Sequence, residues 1–338
     1  MRGAATLPLS ALCISLAAPA LADDDTALIT PDPVTIAASE AETGEQPLAL
    51  IADDQPQRPA AGQGGGKPPS REELEMLQAM ANSVFAGDFI TLGIGAGLIP
   101  SYEGSDNYVL FPGPQIVGQV SGFQFASPGG GPGIVVDLIR EKPLSKTNII
   151  AGPLVRVNLN RAIQSQINDP VVEQLGDLDV AIEVGGRFGV GVNGVFSRFD
   201  SISFLTDIAF DVAGAHSGTV IRPSINYRRP IGRAAIIRAS VAASWVDNDY
   251  ADFYYGIDAA GSAASGLPVF DAGSGVKSVS ANVIGTYDLS GNALDGGWGM
   301  FGLFGYSRLR EAAAATPITA IRGDANQLRG VVGITYTF

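Results

Sequence analysis

Along most of the chain, apolar and polar residues alternate with a period of two. Over residues 218–229, Ile221 and Ile225 alternate with Arg222 and Arg228. Successive side chains of a β-strand point to opposite faces, so this pattern places apolar residues on one face and charged residues on the other. The alternation predicts a series of β-strands, each with one apolar face.

The predicted strands are long enough to cross a membrane. They number twelve and span residues 89–99, 108–119, 121–127, 132–140, 147–158, 180–193, 201–212, 218–229, 233–246, 276–288, 298–309 and 328–338. A soluble sandwich shows the same alternation, but its strands usually have about 5–6 residues. A tilted membrane strand needs about 9–11 residues. The sequence therefore predicts an all-β protein, an antiparallel transmembrane β-barrel of about 12 strands with a disordered N-terminal extension.

The gaps between these strands are long on one side of the predicted sheet. The gaps after strands one, five, nine and eleven are the long ones, at 100–107, 159–179, 247–275 and 310–327. Most even-numbered gaps are short, such as 230–232. Outer-membrane barrels have long outer loops, short periplasmic turns and, in bacteria, an even strand count. We therefore expect the protein in the cell outer membrane, with both termini in the periplasm.

The last predicted strand ends on Phe338. Tyr336 and Phe338 belong to its outward row. An aromatic residue that ends an alternating strand resembles the signal read by the outer-membrane barrel-assembly machinery. These two residues are the predicted assembly signal, and an ordinary C-terminal edge strand is the alternative.

The N-terminal part of the chain shows a different composition. Residues 1–22 combine a positive start, a short apolar run and a small-residue cleavage site, which predicts a cleaved signal peptide. Residues 23–84 form the predicted disordered periplasmic linker, which contains a short helix that begins near Ser70. This helix is either a marginal helix before the barrel or a plug or partner-docking segment. The barrel is assigned to residues 85–338.

Composition supports a surface that faces lipid. Charged residues make up 16% of the chain, whereas soluble domains usually carry about 25%. The net charge of −13 argues against nucleic acid as a partner. The single cysteine, Cys13, lies in the predicted signal peptide, and His216 is the single histidine, so a zinc site built on these residue types is disfavoured. We expect no cofactor and no metal.

Three chemical motifs have simpler explanations. The glycines at 93–97 suggest a nucleotide loop, but they lie inside a predicted strand with no helix after them. His216 and Ser217 suggest a hydrolase, but a triad needs a nucleophile within reach of a base that a third group orients. The acids of the 100–107 and 247–275 loops could bind calcium, although their spacing matches no EF-hand, and solvated loop acids are the simpler interpretation. We expect no enzymatic activity.

Charged residues on the inward face of the predicted strands are candidate lumen-lining residues. They are Arg156, Glu183, Arg187, Asp207, Asp211, Arg222, Arg228 and Arg238. Such charges either form ion pairs that fill a closed barrel or line a small channel. Eight strands give a filled barrel and sixteen give a pore, so a count of twelve leaves both possibilities open.

Several loop segments together resemble one family. After the first strand, the loop carries the motif Tyr102, Glu103, Gly104, Ser105 and Asp106. Further similar segments are 216–218, 245–257, 266–275, 309–318 and 333–338. In this order they resemble the MipA/OmpV family, also called the MltA-interacting protein family, over about residues 85–338. Two features depart from it: Glu-Ala-Ala stands at 311–313 where Gly-Asp-Ala is usual, and the 23–70 linker has no counterpart.

The resemblance implies an outer-membrane barrel and supplies no catalytic residue set. One member is named for its interaction with a membrane-bound lytic transglycosylase, which it links to a murein synthase. We therefore expect a structural or scaffold role in the cell envelope that includes docking of murein-remodelling enzymes, with a porin-like small-solute channel as the alternative. The expected partners are outer-membrane lipid, the barrel-assembly machinery and, by resemblance, a lytic transglycosylase and a murein synthase.

Overall fold

The computed structural model describes residues 71, 74, 75, 78, 81–128, 132–140 and 145–338. These residues form twelve antiparallel strands in one closed barrel. The strands are β1 (Phe89–Pro100), β2 (Tyr108–Val120), β3 (Phe123–Ala126), β4 (Gly133–Asp137), β5 (Thr147–Asn158), β6 (Ala181–Asn193), β7 (Ser201–Asp211), β8 (Thr219–Ile231), β9 (Ala235–Val246), β10 (Gly275–Asp288), β11 (Gly297–Leu309) and β12 (Asn326–Thr337). The predicted all-β barrel is confirmed.

The barrel closes where its first and last strands meet. Each strand pairs with its neighbours in sequence, and β1 also pairs with β12 in a register that sets Thr91 opposite Thr337. The Phe338 N–H donates to the Ile90 carbonyl at 2.9 Å and extends this ladder by one bond. Closure satisfies the edge-strand backbone groups, which a bilayer interior would leave without partners.

The outer face of the barrel is apolar. Ile94, Leu98, Phe204 and Val332 are 64%, 56%, 51% and 71% exposed. A continuous exposed surface of this kind is unfavourable in water and typical of a surface that contacts another apolar phase. The period-two alternation thus turns its apolar residues outward toward lipid.

Gly95, the central glycine of the 93–97 segment, makes room for a core side chain. Phe301 of β11 is 8% exposed and points into the barrel. A methyl group on Gly95 would lie 2.8 Å from the Phe301 ring, and one on Gly333 would also collide with that ring. Glycine at these strand positions therefore permits close packing rather than phosphate binding.

β3 and β4 are shorter than predicted. Ser121 and Gly122 were assigned to a strand at 121–127, but they form the turn from β2 to β3, with φ angles of 52° and 80°. Positive φ at both central residues is the signature of a tight two-residue hairpin turn, whose twist matches that of the flanking strands. β4 ends at Asp137 rather than at 140, and β12 begins two residues before the predicted 328.

The two ends of the barrel differ. The odd-numbered connections, from β1–β2 to β11–β12, lie at one end, which we call the loop end, and the even-numbered connections, from β2–β3 to β10–β11, lie at the other, the turn end. The three longest connections, β5–β6, β9–β10 and β11–β12, are all at the loop end. Folded segments occupy the loop end: 3-10 turns at Gln164–Gln166 and Val172–Leu175, then α1 (Asn248–Tyr255), α2 (Ala259–Ser265), α3 (Glu311–Ala315) and α4 (Pro317–Ala320). Together with the β1–β2 loop we call these segments the cap.

The N-terminal predictions fall mostly outside the described residues. This applies to the signal peptide 1–22 and to most of the 23–84 linker. Residues 71, 74, 75, 78 and 81 have helical backbone conformation. A 3-10 turn at Val84–Ala86 then leads into β1. Within the described part of the chain, no helix is long and apolar enough to cross a membrane.

Candidate functional site

Helix α1 starts at a side chain that joins two strands. The Asp247 carboxylate accepts the Tyr250 N–H at 3.1 Å and caps the helix, and it also accepts the Thr219 N–H of β8 at 2.7 Å. A methyl group on Gly218 would collide with both Asp247 and Tyr250. A small residue at 218 therefore lets the helix leave β9 close against the start of β8.

Tyr250 places α1 across the mouth of the barrel. Its hydroxyl accepts from Asn158 of β5 at 3.3 Å and from Lys277 of β10 at 2.7 Å. In the barrel order, β5 and β10 are five positions apart. A helix whose side chain reaches both strands must lie over the lumen, and Tyr250 is 1% exposed.

Glu103 fixes the other side of the helix. Its carboxylate accepts from the Tyr255 hydroxyl at 2.7 Å and forms an ion pair with Lys277 at 3.0 Å. Burial raises the pKa of Tyr255 well above its ordinary value, and the negative charge of Glu103 acts in the same direction. Tyr255 therefore stays protonated and donates its hydrogen to Glu103.

A buried charge cluster lies beneath α1. Glu183 of β6 is 0% exposed and forms an ion pair with Arg156 of β5, whose Nε lies at 2.7 Å. His216 Nε2 is 3.5 Å from the same carboxylate without a hydrogen bond, while its Nδ1 accepts the Gly218 N–H at 3.0 Å. Because Nδ1 accepts, the neutral ring carries its proton on Nε2, toward Glu183. The His216 ring packs edge-on against Tyr250.

A second group of contacts joins the β5–β6 loop to the β11–β12 loop. Arg322 forms an ion pair with Asp169 at 2.8 Å, and Asp169 also accepts the N–H groups of Val171 and Val172. Burial alone would raise the pKa of Asp169, but the hydrogen bonds from Arg322 and the two N–H groups outweigh it and lower the pKa. Burial raises the pKa of the neighbouring Tyr102 to about 12. These loops therefore form one packed layer.

The family motif of the β1–β2 loop lies inside this layer. Tyr102 is 2% exposed, and Ser105 is 0% exposed and forms a β-bridge with Gly323. Gly104 has a φ of 100°, and a methyl group there would collide with Thr319 of α4. Asp106 points outward and accepts only the amide of Asn107. Tyr102, Gly104 and Ser105 therefore hold the first loop against the last one, while Glu103 binds Tyr255 and Lys277.

Three other segments of family resemblance, 245–257, 266–275 and 309–318, meet in the same cap. The Thr316 hydroxyl donates to the carbonyl of Tyr255 at 2.7 Å, and Ile318 is 1% exposed. Leu267 is 4% exposed and joins Ile318 in one apolar cluster. Residues that are distant in sequence thus pack together at the loop end.

The predicted inward charges occupy different environments. Arg187 binds Asp207 through two hydrogen bonds of 2.6 and 2.8 Å. Arg156 and Glu183 form the second pair, as described above. The Asp211 carboxylate accepts the N–H groups of Ala213, His216 and Ser217 and so supports the β7–β8 turn.

The remaining predicted arginines have fewer contacts. Arg228 and Arg238 stand opposite each other on β8 and β9, and Arg228 is exposed near the turn end. Arg222 is partly buried beneath the cap. Among the described residues, neither Arg222 nor Arg238 has a hydrogen bond or an ion pair. The interior therefore contains more positive charge than its carboxylates neutralise.

The hydrolase and metal-binding hypotheses are not supported by the geometry of the residues that suggested them. Ser217 is exposed with a φ of 53°, whereas His216 is buried and turned toward Glu183, so the two side chains do not form a base and a nucleophile. Two loop acids are partly buried rather than fully solvated: Asp247 caps α1, and Glu103 binds Lys277. Asp258 caps α2 and is exposed, as expected for a loop acid. Among the described residues, no cluster of three or more His, Cys, Asp or Glu could hold a metal.

Sequence reasoning missed several central residues of the cap. Tyr250 and Tyr255 were grouped with a family motif but not with the interior, and Lys277 and Asn158 were not identified. The available signal was Asp247, which precedes Asn-Asp-Tyr in the manner of a helix N-cap. Which strand or loop each of these side chains contacts is set by the barrel register.

The closed barrel, its apolar outer face and its folded loop end define an outer-membrane β-barrel protein. A family model described as "MltA-interacting protein MipA" matches residues 92–338. The chain belongs to this family, as the loop motifs predicted. No curated protein matches the chain.

Solved outer-membrane proteins resemble the fold only distantly. An outer-membrane channel from Pseudomonas putida F1 shares 11% identity at a TM-score of 0.38, over 75% of this chain and 96% of that one. OmpT of Vibrio cholerae shares 7% identity at a TM-score of 0.32, over 74% of this chain and 97% of that one. OccAB3 of Acinetobacter baumannii shares 12% identity at a TM-score of 0.31, over 74% of this chain and 65% of that one. At these scores the likenesses carry no argument about function.

Proposed function

We propose that this outer-membrane barrel is a non-catalytic scaffold of the cell envelope that docks a murein-remodelling enzyme at its turn end. The partner classes are a lytic transglycosylase and a murein synthase. The observation that carries the proposal is the cap: α1 lies across the mouth and joins β5 to β10 through Tyr250. A barrel filled in this way suits a membrane anchor better than a wide pore.

The turn end is the proposed docking surface. Long loops of such barrels face the exterior, so the turn end would face the periplasm, where murein lies. The family description names an interaction with MltA. Arg229, near the end of β8, and Arg233, in the β8–β9 turn, are exposed and offer positive charge to an acidic partner surface.

The N-terminal segment also belongs to this surface. The Val84 N–H donates to the carbonyl of Leu294 in the β10–β11 turn at 3.0 Å. The Phe85 ring packs edge-on against Phe89, at a centroid distance of 4.7 Å. The chain that precedes β1 is therefore attached to the turn-end rim, next to the proposed docking site.

A binding assay with the full-length barrel in detergent tests this role. Purified lytic transglycosylase should bind the wild type, and the double variant Arg229→Glu with Arg233→Glu should bind at least about tenfold more weakly, because it reverses the charge of the rim. The control Arg308→Glu reverses one exposed positive charge at the loop end, and the single variants Arg229→Glu and Arg233→Glu give the comparison at equal charge.

Crosslinking in intact envelopes provides the second readout. The proposal expects the transglycosylase to be crosslinked to the wild-type barrel and much less to the rim variant. It is wrong if no transglycosylase is recovered with the wild type, or if Arg308→Glu weakens binding as strongly as the rim variant does.

A second candidate is a small-solute channel with a charged lumen. It is favoured by a cavity of about 110 Å³ that remains beneath the cap and is lined by Arg222, Arg329 and Lys277. Planar-bilayer recordings of the wild type separate the two roles. Stable conductance steps support the channel, whereas an electrically silent barrel supports the scaffold.

A further inference from the structure

We infer that the cavity beneath the cap is a binding site for a small oxyanion, a phosphate or carboxylate group held between Arg222 and Arg329. The inference does not depend on the docking role, because it concerns the barrel interior rather than the turn-end rim. It is carried by the charge balance of the cavity wall, by two guanidinium groups without a carboxylate partner, and by the hydroxyls around them.

Positive charge exceeds negative charge in the wall of this cavity. Of the described residues, the lining includes the cations Arg156, Arg222, Lys277 and Arg329 and one carboxylate, Glu103. Glu103 is bound by Lys277, and Arg156 is bound by Glu183 behind the wall. The charges of Arg222 and Arg329 remain uncompensated by either pair.

Arg329 has an unused donor beneath the cap. Its Nη2 donates to the side-chain oxygen of Asn282 at 2.7 Å, which is a neutral acceptor. Its Nε is buried and has no hydrogen-bond partner among the described residues. A buried donor without a partner is unfavourable, and an anion in the cavity would supply the missing acceptor.

Arg222 lacks a partner because its neighbour is already occupied. The barrel register places it directly opposite Asp207. Both carboxylate oxygens of Asp207 are bound by Arg187, at 2.6 and 2.8 Å. The Arg222 guanidinium therefore lines the cavity with its donors available, and a charge held away from water requires a counter-charge.

The chemistry of the wall selects an oxyanion. A guanidinium presents a planar fork of donors that matches the two oxygens of a carboxylate or phosphate. Further donors are the hydroxyls of Ser244, Ser278, Ser280 and Ser307, which also line the cavity. A cavity needs roughly 10–15 Å³ of such volume to hold one water molecule. The cavity of about 110 Å³ therefore accommodates a carboxylate or phosphate group together with a few water molecules.

A row of arginines extends from this cavity toward the turn end. Arg222 and Arg228 lie on the same face of β8, and Arg238 stands opposite Arg228 on β9. Positive charge along a low-dielectric wall raises the local concentration of anions. Because the cap covers the loop-end mouth, this row is the path by which an anion would reach the site.

Calorimetric titration of the full-length barrel in detergent with inorganic phosphate, and separately with acetate, tests the site. The wild type should bind one anion saturably. Arg222→Gln and Arg329→Gln should each weaken binding at least about tenfold, because each removes a charge-assisted contact. The matched control Arg238→Gln removes the same charge from the same interior but not from the cavity wall, and should change affinity less than about threefold.

The outcomes separate the ligand sources and the explanations. Binding of phosphate alone or of acetate alone supports the site and identifies its group. The inference is overturned if the folded wild type binds neither anion saturably, or if Arg238→Gln weakens binding as much as Arg222→Gln. Folding is checked by the heat-modifiable electrophoretic mobility of each variant. Should Arg222→Gln fail to fold, Arg222→Lys retains the charge and must still bind, while Arg329→Gln must bind at least about tenfold more weakly than the wild type.

Discussion

At the residue scale, Asp169 shows how one side chain joins distant parts of the cap. It is buried, it pairs with Arg322 in the β11–β12 loop, and it accepts the N–H groups of Val171 and Val172 in its own loop. All of these contacts favour the ionised carboxylate, which is why its pKa is lowered despite burial. The stability of the cap should therefore depend on pH through this residue.

The expected pH dependence follows from the sign of that shift. A folded-state pKa below the ordinary Asp value of about 3.9 gives a contribution that is fully present above that value. The contribution is lost as the pH falls through the folded pKa. Asp169→Asn should remove this step and lower the local stability of the 159–180 and 310–325 loops by about 2 kcal/mol at neutral pH.

Hydrogen exchange by mass spectrometry, corrected for intrinsic rates, measures both effects in peptides from these loops. Asp106→Asn is the matched control, because Asp106 lies in a neighbouring loop and accepts only from Asn107. Unchanged protection in Asp169→Asn would show that the ion pair does not stabilise the cap.

At the scale of the element, α1 depends on its surroundings. It has eight residues, Asn248–Tyr255, and isolated helices of this length are marginal in water. Its stability comes from the Asp247 N-cap and from the burial of Tyr250, Tyr254 and Tyr255. The helix is therefore formed by the barrel mouth that it covers.

Removal of the N-cap should loosen α1 without unfolding the barrel. Asp247→Ala removes the acceptor for the Tyr250 and Thr219 N–H groups and should cost about 1–2 kcal/mol of local stability. Limited proteolysis of the 247–274 loop should become faster, while the heat-modifiable mobility of the barrel should stay unchanged. Asp249→Ala, which changes an exposed residue of the same helix, should leave the cleavage rate near that of the wild type. Equal cleavage rates in all three proteins would contradict the role assigned to Asp247.

At the scale of the whole molecule, the closed barrel faces lipid and the folded cap covers its lumen. The strands turn their polar row inward and an apolar face toward lipid. Their hydrogen bonds close the barrel without any contribution from the cap. The cap then covers a lumen whose cations exceed its carboxylates. The charge of the lumen should become measurable once the mouth is open.

Replacement of residues 248–273 by a short Gly-Ser linker should open that mouth. In planar bilayers this variant should conduct at least about tenfold more than the wild type and prefer anions, since fixed positive charge attracts them. Addition of Arg222→Gln and Arg238→Gln should reduce the anion preference while the conducting state persists. A cap-deleted barrel that prefers cations would contradict the charge assignment.

The strands of this barrel were predictable from sequence because side-chain direction in a strand is a local property. Alternation such as Ile221 and Ile225 against Arg222 needs no knowledge of the neighbouring strands. The even count, the position of the long loops and the outward row that includes Tyr336 follow from the same period. The strand prediction was wrong at a short element: Ser121 and Gly122 form a turn, because their positive φ angles end the strand that the alternation predicted there.

The contacts of the charged residues were not predictable in this way. Arg187 meets Asp207 only once the register of β6 and β7 is set. Glu103 and Lys277 are 174 residues apart in sequence, and Asp169 and Arg322 are 153 apart. Nothing in the sequence around Lys277 therefore indicated that its side chain would bind Glu103.

The sequence by itself thus determined a membrane barrel, its approximate strand boundaries and its family. The tertiary structure alone decided that the loops fold into a cap, which carboxylates are neutralised, and that Arg222 and Arg329 remain beneath it without a carboxylate partner. The physical reason is the range of the forces involved. The strand period is written residue by residue, whereas a loop conformation and an ion pair depend on segments that meet only after the barrel closes.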